Sequence, residues 1–450
     1  ASGVGGGVIG GGLWLGTRGG RSQMGRREAL LLVAATWLLG AALAALPFYI
    51  WAHTAVSAET HPFHSAVNCY FEAVSGLTTT GATILTDIPT VPRSLLFWRS
   101  MTHWLGGLGI VVLFVAVLPS LGAGGKRLFR VEAPGPTPEG VSPHIRDTAR
   151  ILWMIYMGLT VAETLALRLA GMSWYEAICH TFATLATGGF STENASVGFY
   201  DSAVVDTIVI FFMLMAGVNF GLYYQIIRGN VKNALRDREL RIYLIFIAVA
   251  ATIVIASIWG HRIVTTDGAE LDGGAGTAIR HGLFQTVSIH TTTGFATADF
   301  NLWPFLARAV LVTVMFVGGC AGSTGGGIKV IRIWIALKVI VAEIELAFRP
   351  NVVRPVKVGR TAVAPELRLG IAGYVMGVFL IFIVGALALR VLEADHVMPD
   401  GRTTTFTTAA TASVATLCNI GPGLELVGAV ENYNWFSTPS KLLMALMMVI

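Results

Sequence analysis

A chain of 450 residues that is 54% hydrophobic and 13% charged, with a mean hydropathy of +0.68, lacks the polar surface to solvate a globule of its size; soluble domains carry about 25% charged residues. Its net charge of +5 sits in a few loops with no basic stripe interleaved with aromatics, which speaks against nucleic-acid binding. Cys69, Cys179, Cys320 and Cys418 form no CxxC pair, so neither a zinc site nor a disulfide framework is expected.

In chain order, residues 4–15 are apolar and read as the tail of an earlier helix, because the chain opens at Ala1 and stops inside an apolar run at Ile450. One plan then recurs four times. Each unit opens with an apolar stretch of about 20 residues, enough to cross a bilayer at about 1.5 Å per residue. A segment of about 11–14 residues follows, too short to cross and suited to a re-entrant helix. Threonines or other small residues, a glycine turn and a second long apolar stretch complete the unit. In the first unit, 26–122, these parts are 29–49, 65–77, the turn 75–83 and 95–121. In the second, 148–230, they are 151–170, 174–185, 183–191 and 204–227. The third, 240–348, has 242–259, 279–289, 288–296 and 310–336. The fourth, 366–450, has 371–389, 404–417, 415–423 and a second stretch from 442 onward, which the chain end truncates. The aligned glycines Gly81, Gly189, Gly294 and Gly421 are 108, 105 and 127 residues apart.

The fold class expected is therefore an all-α polytopic membrane protein, with four pseudo-symmetric membrane helix–pore helix–membrane helix repeats around a central pore. Basic residues gather outside the spans: Arg18, Arg21, Arg26 and Arg27; Lys126, Arg127, Arg130, Arg146 and Arg150; Arg228, Lys232, Arg236, Arg238 and Arg241; then Lys329, Arg332, Lys338, Arg349, Arg354, Lys357 and Arg360. The opposite loop 51–64 has neither Lys nor Arg. Positive-inside bias places both ends of each unit in the cytoplasm and opens the glycine turns to the outer face.

Irregular backbone at membrane depth is tolerated only when buried in protein or lining water. Four matched turns can converge on one axis, where their carbonyls replace the hydration shell of an ion. Glycine reaches backbone angles barred to residues with a β-carbon. The short helices would aim their partially negative C-termini at the same point, which favours a cation. The expected filter is Thr78, Thr79, Thr80 and Gly81; Ala186, Thr187, Gly188 and Gly189; Thr291, Thr292, Thr293 and Gly294; Cys418, Asn419, Ile420 and Gly421. A metal is expected only as potassium held by these backbone carbonyls. The competing reading is four helix-capping loops, which leaves the repeat unexplained; the threonine hydroxyls are expected to be partly structural. Asp87, Glu193, Asp299 and Glu425 follow the glycines and would ring the outer mouth, unless they are solvated loop charges. His103, His180 and His290 read as packed polar residues rather than ligands.

In the third unit the second apolar stretch runs into Gly318, Gly319, Cys320, Ala321, Gly322, Ser323, Thr324, Gly325, Gly326 and Gly327, and resumes at Ile328 with Lys329 beyond. Six glycines in ten residues cannot stay helical, at about 1 kcal/mol each relative to alanine. By position, a flexible loop here lies on the cytoplasmic side of the filter and could close the pore. A structural kink is the alternative. A phosphate-binding loop is disfavoured, because the Gly-Lys-Ser/Thr ending and a preceding strand are both missing.

The segments 75–83, 184–192, 290–297, 416–424 and 318–332 closely resemble the bacterial TrkH type of the Trk/Ktr/HKT superfamily of potassium transporters, and the likeness runs over essentially the whole chain. The resemblance implies residues 1–16 are the remnant of extra N-terminal helices. It implies channel-like potassium uptake across the bacterial inner membrane, with rubidium and sodium as further ions, and a filter of one glycine per repeat. Gly81 goes with potassium, where a serine would suggest sodium-selective relatives. It further implies that 318–327 is an intramembrane gate. The expected assembly is a homodimer in membrane lipid, regulated by a cytoplasmic nucleotide-binding ring of TrkA type. No organic cofactor is expected in this chain. The arginine with which the family faces its gate loop from the last helix would lie beyond Ile450.

Three functions compete. The first is a gated, channel-like uptake subunit. The second is a symporter coupled to a proton or sodium gradient, for which Arg99, His103, Glu163 and Glu343 are the candidate ionisable groups. The third, a membrane enzyme, finds no HExxH, no GxSxG and no paired intramembrane aspartates.

Overall fold

The computed structural model describes residues 26–55, 61–117, 145–349, 356–358, 361–398 and 400–450. The expected 1–16 remnant and the basic residues at 18, 21, 126, 127, 130, 354 and 360 lie outside the described residues.

The first repeat comprises α1 (Arg26–Ala55), α2 (Ala66–Leu77) and α3 (Arg93–Val117). The second has α4 (Ile145–Leu169), α5 (Trp174–Leu185), α6 (Ala203–Ala216) and α7 (Phe220–Ile227), with a short α8 (Val231–Leu235) leading onward. The third has α9 (Arg238–Ile258), α10 (Ala275–His290), α11 (Phe305–Met315) and α12 (Val330–Phe348). The fourth has α13 (Pro365–Leu392), α14 (Phe406–Leu417) and α15 (Thr438–Met447).

The opening helices α1, α4, α9 and α13 each contain 21–28 residues apolar enough to cross a membrane. Leu31, Leu39, Ile245, Met376 and Leu380 stand exposed on them, the surface that lipid covers in a spanning helix. The short helices differ in kind. Nearly every residue of α2, α5, α10 and α14 from the first turn onward is buried or half-buried, because each lies inside the ring of spans. Ser65, Ser173 and Thr405 cap three of their N-termini, and Ser173 with Glu176 forms a reciprocal capping box.

The apolar clusters join neighbours around a circle. Phe48 and Phe71 pack with Phe436 and Met444, linking the first repeat to the fourth. Trp104 and Leu108 meet Leu152 and Tyr156 between the first and second. Val209 and Met213 meet Tyr243 and Phe284 between the second and third. Leu311 and Met315 meet Val414 and Ile420 between the third and fourth. The ring is thus closed by packing rather than by chain connection alone.

Three two-residue strand pairs interrupt the helices: antiparallel β1 (Ile263–Val264) with β2 (Glu270–Leu271), parallel β3 (Val317–Gly318) with β4 (Ile328–Lys329), and antiparallel β5 (Lys357–Val358) with β6 (Thr361–Ala362).

One expectation needs correction. The stretch 204–227 is not one helix: α6 and α7 meet at 94°. Gly217 caps α6, and the Asn219 side chain accepts the Gly221 amide at 2.7 Å to start α7, so the break is written as a C-cap followed by an N-cap. The stretch 310–336 breaks at its glycine run as expected, its helix ending at Met315 and restarting at Val330.

Candidate functional site

The four short helices end alike. After the cap residues Thr78, Ala186, Thr291 and Cys418, the chain turns left-handed at Thr79 (φ 55°), Thr187 (54°), Thr292 (59°) and Asn419 (54°). The next amide closes back onto the helix: Thr80 on Ser75 at 2.9 Å, and Gly188 on Ala183, Thr293 on Ser288 and Ile420 on Ala415 at 2.8 Å each. This is a Schellman closure, which ordinarily places glycine or asparagine in the left-handed site. Threonine there is strained by its branched β-carbon. The same strain at three matched positions marks a geometry that the surroundings impose.

The glycines are left-handed again, at φ 80°, 77°, 83° and 93° for Gly81, Gly189, Gly294 and Gly421. A β-carbon on Gly81 would collide with the carbonyl oxygen of Gly188, on Gly189 with that of Thr293, and on Gly294 with that of Ile420. On Gly421 it would lie 2.8 Å from the carbonyl oxygen of Thr80. Each glycine therefore abuts the carbonyl before the glycine of the next repeat, and the fourth returns to the first. All four glycines line one cavity. Among the described residues the buried carbonyls of Thr80, Thr293 and Ile420 take no hydrogen bond from the protein. Buried backbone carbonyls in that condition need water or an ion.

The hydroxyls serve the scaffold. Thr78 and Thr291 donate to Val74 and Val287 and pair with Thr80 and Thr293, each bond 2.8 Å. The fourth repeat departs from the others. Asn419 donates to the Thr80 hydroxyl and to Met448 O, both at 2.9 Å, and the Tyr433 hydroxyl donates to Gly421 O at 2.7 Å.

Side chains brace the ring from behind. Glu72 in α2 accepts from Arg99 Nε at 2.6 Å and from the Thr83 hydroxyl and the Ile84 amide at 2.9 Å each. Arg99 also donates to Ser191 O at 2.9 Å and lies over the Phe190 ring at 3.5 Å, so one buried ion pair ties together the segments that follow the glycine turns of the first two repeats. His180, at the position of Glu72, bonds Ser191 Oγ at 3.1 Å. Asp206 with Arg280 (2.6 Å) joins the second and third repeats, and Lys441 with Asn68 (2.8 Å) joins the fourth and first. Arg99 stands among the ionisable candidates expected from sequence, and its partner Glu72 does not. Two opposite charges in neighbouring apolar segments were the available signal.

The histidines pack as polar groups. His103 bonds Gly76 O at 2.7 Å and stacks on Phe190, and His290 lies against Tyr243. Of the symport candidates, Glu343 is exposed on α12 and Arg99 is paired. Glu163 is fully buried with no cation paired to it among the described residues, and the Thr184 hydroxyl is the donor beside its carboxyl.

The expected acidic ring is corrected. Asp299 caps the Asn301 amide at 3.0 Å, Glu425 accepts from the hydroxyls of Thr405 and Thr408, and Asp87 accepts from Asn194. Only Glu193 of the four lines the cavity. Glu431, which the sequence reading missed, lines it too, because the loop after Gly421 folds back and bonds Thr83 O through the Tyr433 amide at 2.8 Å.

Below the ring, the loop from Gly318 to Gly327 is closed at its base by β3 and β4 and is buried under the second and third filter turns. It is not free, contrary to expectation. The Gly326 amide donates to Thr292 Oγ1 at 2.6 Å, and Thr324 Oγ1 donates to Leu185 O (3.0 Å) and Ala216 O (3.2 Å). Cys320 N donates to Gly217 O at 2.8 Å, Ala321 N to Glu239 Oε1 at 2.7 Å, and Ser323 Oγ to Cys320 O at 2.6 Å. Lys329 Nζ folds back on Gly325 O. Glycine is required by contact: β-carbons on Gly318 and Gly326 would collide with Gly326 O and Cys418 O, and Gly322 and Gly327 have φ of 72° and 65°. One on Gly319 would lie 2.8 Å from Gly217 O.

Comparison with known proteins follows the same outline. The profile of the family described as TrkH, cation transport protein, matches residues 7–450. The Trk system potassium uptake protein TrkH of Escherichia coli K12 is 38% identical over 439 residues, covering 96% of this chain and 84% of that protein. TrkH of Halomonas elongata is 38% identical over 414 residues, covering 92% and 80%. The crystal structure of the potassium transporter TrkH from Vibrio parahaemolyticus superposes with a TM-score of 0.81 at 32% identity, covering 95% of this chain and 83% of that one.

Proposed function

The chain belongs to the TrkH family of cation transport proteins, a multi-pass inner-membrane protein, and from that premise we propose that it is the pore subunit of a potassium uptake system, conducting in a gated, channel-like manner. The observation that carries the reading is the closed ring: four left-handed glycines on one cavity, each against the next repeat's carbonyl. Carbonyl oxygens fixed in this way replace the water around a cation without reorganising. The short helices end at the same ring and add the negative ends of their dipoles. Potassium, held by backbone oxygen alone, is the cargo, and rubidium and sodium are the ions to compare with it. The loop Gly318–Gly327 acts as the gate, supported by its burial beneath the ring. A homodimer and a cytoplasmic nucleotide-binding ring of TrkA type complete the proposed assembly, with the basic segment from Arg228 to Arg241 as a docking surface. The repeat boundaries proposed are 26–122, 148–230, 240–348 and 366–450, with 1–16 as part of additional N-terminal helices.

Coupling to a proton or sodium gradient is the second reading, favoured by one observation: the buried carboxyl of Glu163, which no cation pairs among the described residues. Rubidium flux into proteoliposomes under a set voltage separates the two. Flux that follows the rubidium gradient and ignores a collapsed proton gradient and the removal of sodium supports conduction. Flux that vanishes with either gradient supports coupling. Gly81→Ser is expected to lower the potassium-over-sodium permeability ratio, because it adds a side chain at φ 80° against Gly188 O. An unchanged ratio removes Gly81 from the filter.

A further inference from the structure

The break between α6 and α7 frees the last carbonyls of α6, which a helix end must satisfy from outside. Their partners are unusual. Tyr243 Oη of α9 donates to Leu214 O at 3.2 Å, and Tyr223 Oη of α7 donates to Met215 O at 2.5 Å. The next two carbonyls, Ala216 O and Gly217 O, are taken by Thr324 Oγ1 and Cys320 N, both from the Gly318–Gly327 loop. The start of α7 continues the grip: Phe220 N donates to Gly322 O at 3.1 Å, and a β-carbon on Gly322 would lie 3.2 Å from Asn219 Oδ1.

From the other side, Glu239 in the first turn of α9 accepts the Ala321 amide at 2.7 Å and is fully buried. Glu239 and Tyr243 are four residues apart and share a helix face, so one face of α9 holds both the loop and the broken end of α6. The chain between these two grips runs through α7 and the five-residue α8, and it carries Arg228, Lys232, Arg236 and Arg238. By the charge rule this stretch is cytoplasmic. Both ends of one short cytoplasmic connection therefore hold the same loop.

We infer that the segment from Gly217 to Glu239 is a clamp that holds the Gly318–Gly327 loop across the ion path, with Glu239 as its positioning residue, so that displacing the cytoplasmic connection releases the loop. The inference rests on the reading of that loop as a gate. A break in the second repeat and a glycine loop in the third then form one device. The sharp bend is needed because a straight helix would keep the carbonyls of Ala216 and Gly217 for itself.

The experiment compares Glu239→Ala and Glu239→Gln with a variant lacking two residues of the loop, in the full-length protein in proteoliposomes without any added subunit. Rubidium flux is one readout. The other is the rate at which Cys320 reacts with a membrane-permeant thiol reagent, in a background of Cys69→Ala, Cys179→Ala and Cys418→Ala. Glu239→Ala removes the acceptor of Ala321 N, and basal flux and Cys320 labelling should both rise about tenfold. Glu239→Gln keeps an oxygen in place and should stay within about twofold of the parent on both. Equal rises in the two Glu239 variants would overturn the acceptor role. Parent-like or lower flux in Glu239→Ala, with raised flux in the shortened loop, would overturn the clamp and leave the gate standing. Flat flux in all three variants would sink the gate reading itself. If Glu239→Ala does not fold, Tyr243→Phe carries the test: it loosens the α6 end that the loop shares, and unchanged Cys320 labelling would count against the clamp.

Discussion

The four glycine turns proposed as the filter and the loop proposed as the gate are both irregular and deep in the protein, yet they are held in different ways. Each glycine turn is fixed by a Schellman closure within its own repeat, by a glycine wedged against the next repeat, and by a strut from the short helix behind: Glu72 to Thr83, His180 to Ser191, Ser288 to Phe295 and Thr411 to Leu424. The loop proposed as the gate has one two-residue strand pair, the Ser323–Cys320 turn and the Lys329–Gly325 contact of its own, and takes its other bonds from Leu185, Ala216, Gly217, Phe220, Glu239 and Thr292 on other elements. A structure determined from within keeps one shape. One held from outside changes shape when its holders move, and elements that move in function are drawn from the less stable parts of a fold. Those two conditions suit the proposed roles of a selective ring and a movable barrier.

The comparison breaks most sharply at glycine. Gly294→Ala places a β-carbon on Ile420 O at φ 83°, where neither the backbone nor its neighbour can yield. Rubidium flux should fall to background. Gly325→Ala adds the same methyl in the gate loop, where the nearest atom is Thr291 O at 3.0 Å and φ is not left-handed. It should still conduct, with an altered basal rate. Equal loss in both variants would show that the loop is as rigid as the ring.

Next in size is the ion pair behind the ring. Arg99→Met leaves Glu72 buried without its cation, and losing one partner of such a pair costs about 3–5 kcal/mol. The detergent-solubilised protein should unfold at a clearly lower temperature, and Glu72→Gln combined with Arg99→Met should recover part of the loss. A double variant no better than Arg99→Met alone would mean that the cation–π contact with Phe190, rather than the ion pair, holds the two filter exits together.

The ring was legible in the sequence because it is made by local signals repeated four times: a short apolar segment, small residues and a glycine. Trp174–Leu185 matches its expected bounds. The left-handed threonines were not foreseen, because propensity argues against threonine there and only the packing of the next repeat enforces it. The break at Gly217 was written plainly in Gly-Val-Asn, but the hydrophobic run on both sides hid it. Glu431 and the bonds that bind the gate loop were beyond reach. They join residues 34 to 139 positions apart, as Gly326 to Thr292 and Thr324 to Leu185, or depend on how a loop doubles back after Gly421.

The smallest expected effect tests the rim of the ring. Glu431 lines the cavity, but Arg402 holds it with Nη1 at 2.5 Å and holds Asp400 with Nε at 2.6 Å. Asp400 in turn is kept below the usual carboxylate range by the Arg402 backbone amide and guanidinium, so it stays charged as the outside acidifies and goes on sharing the arginine. Glu431 therefore presents little free negative charge to an arriving cation, which leaves Glu193 as the more effective acid at the mouth. Arg402→Gln removes the neutralising partner. Flux at low potassium and low ionic strength should rise by about twofold, and the gain should fade as salt shortens the reach of the exposed charge to about 8 Å. A gain that survives high salt would mean that Arg402 acts by shaping the loop after Gly421 rather than by charge, and the outer part of the ring would then be held as loosely as the gate.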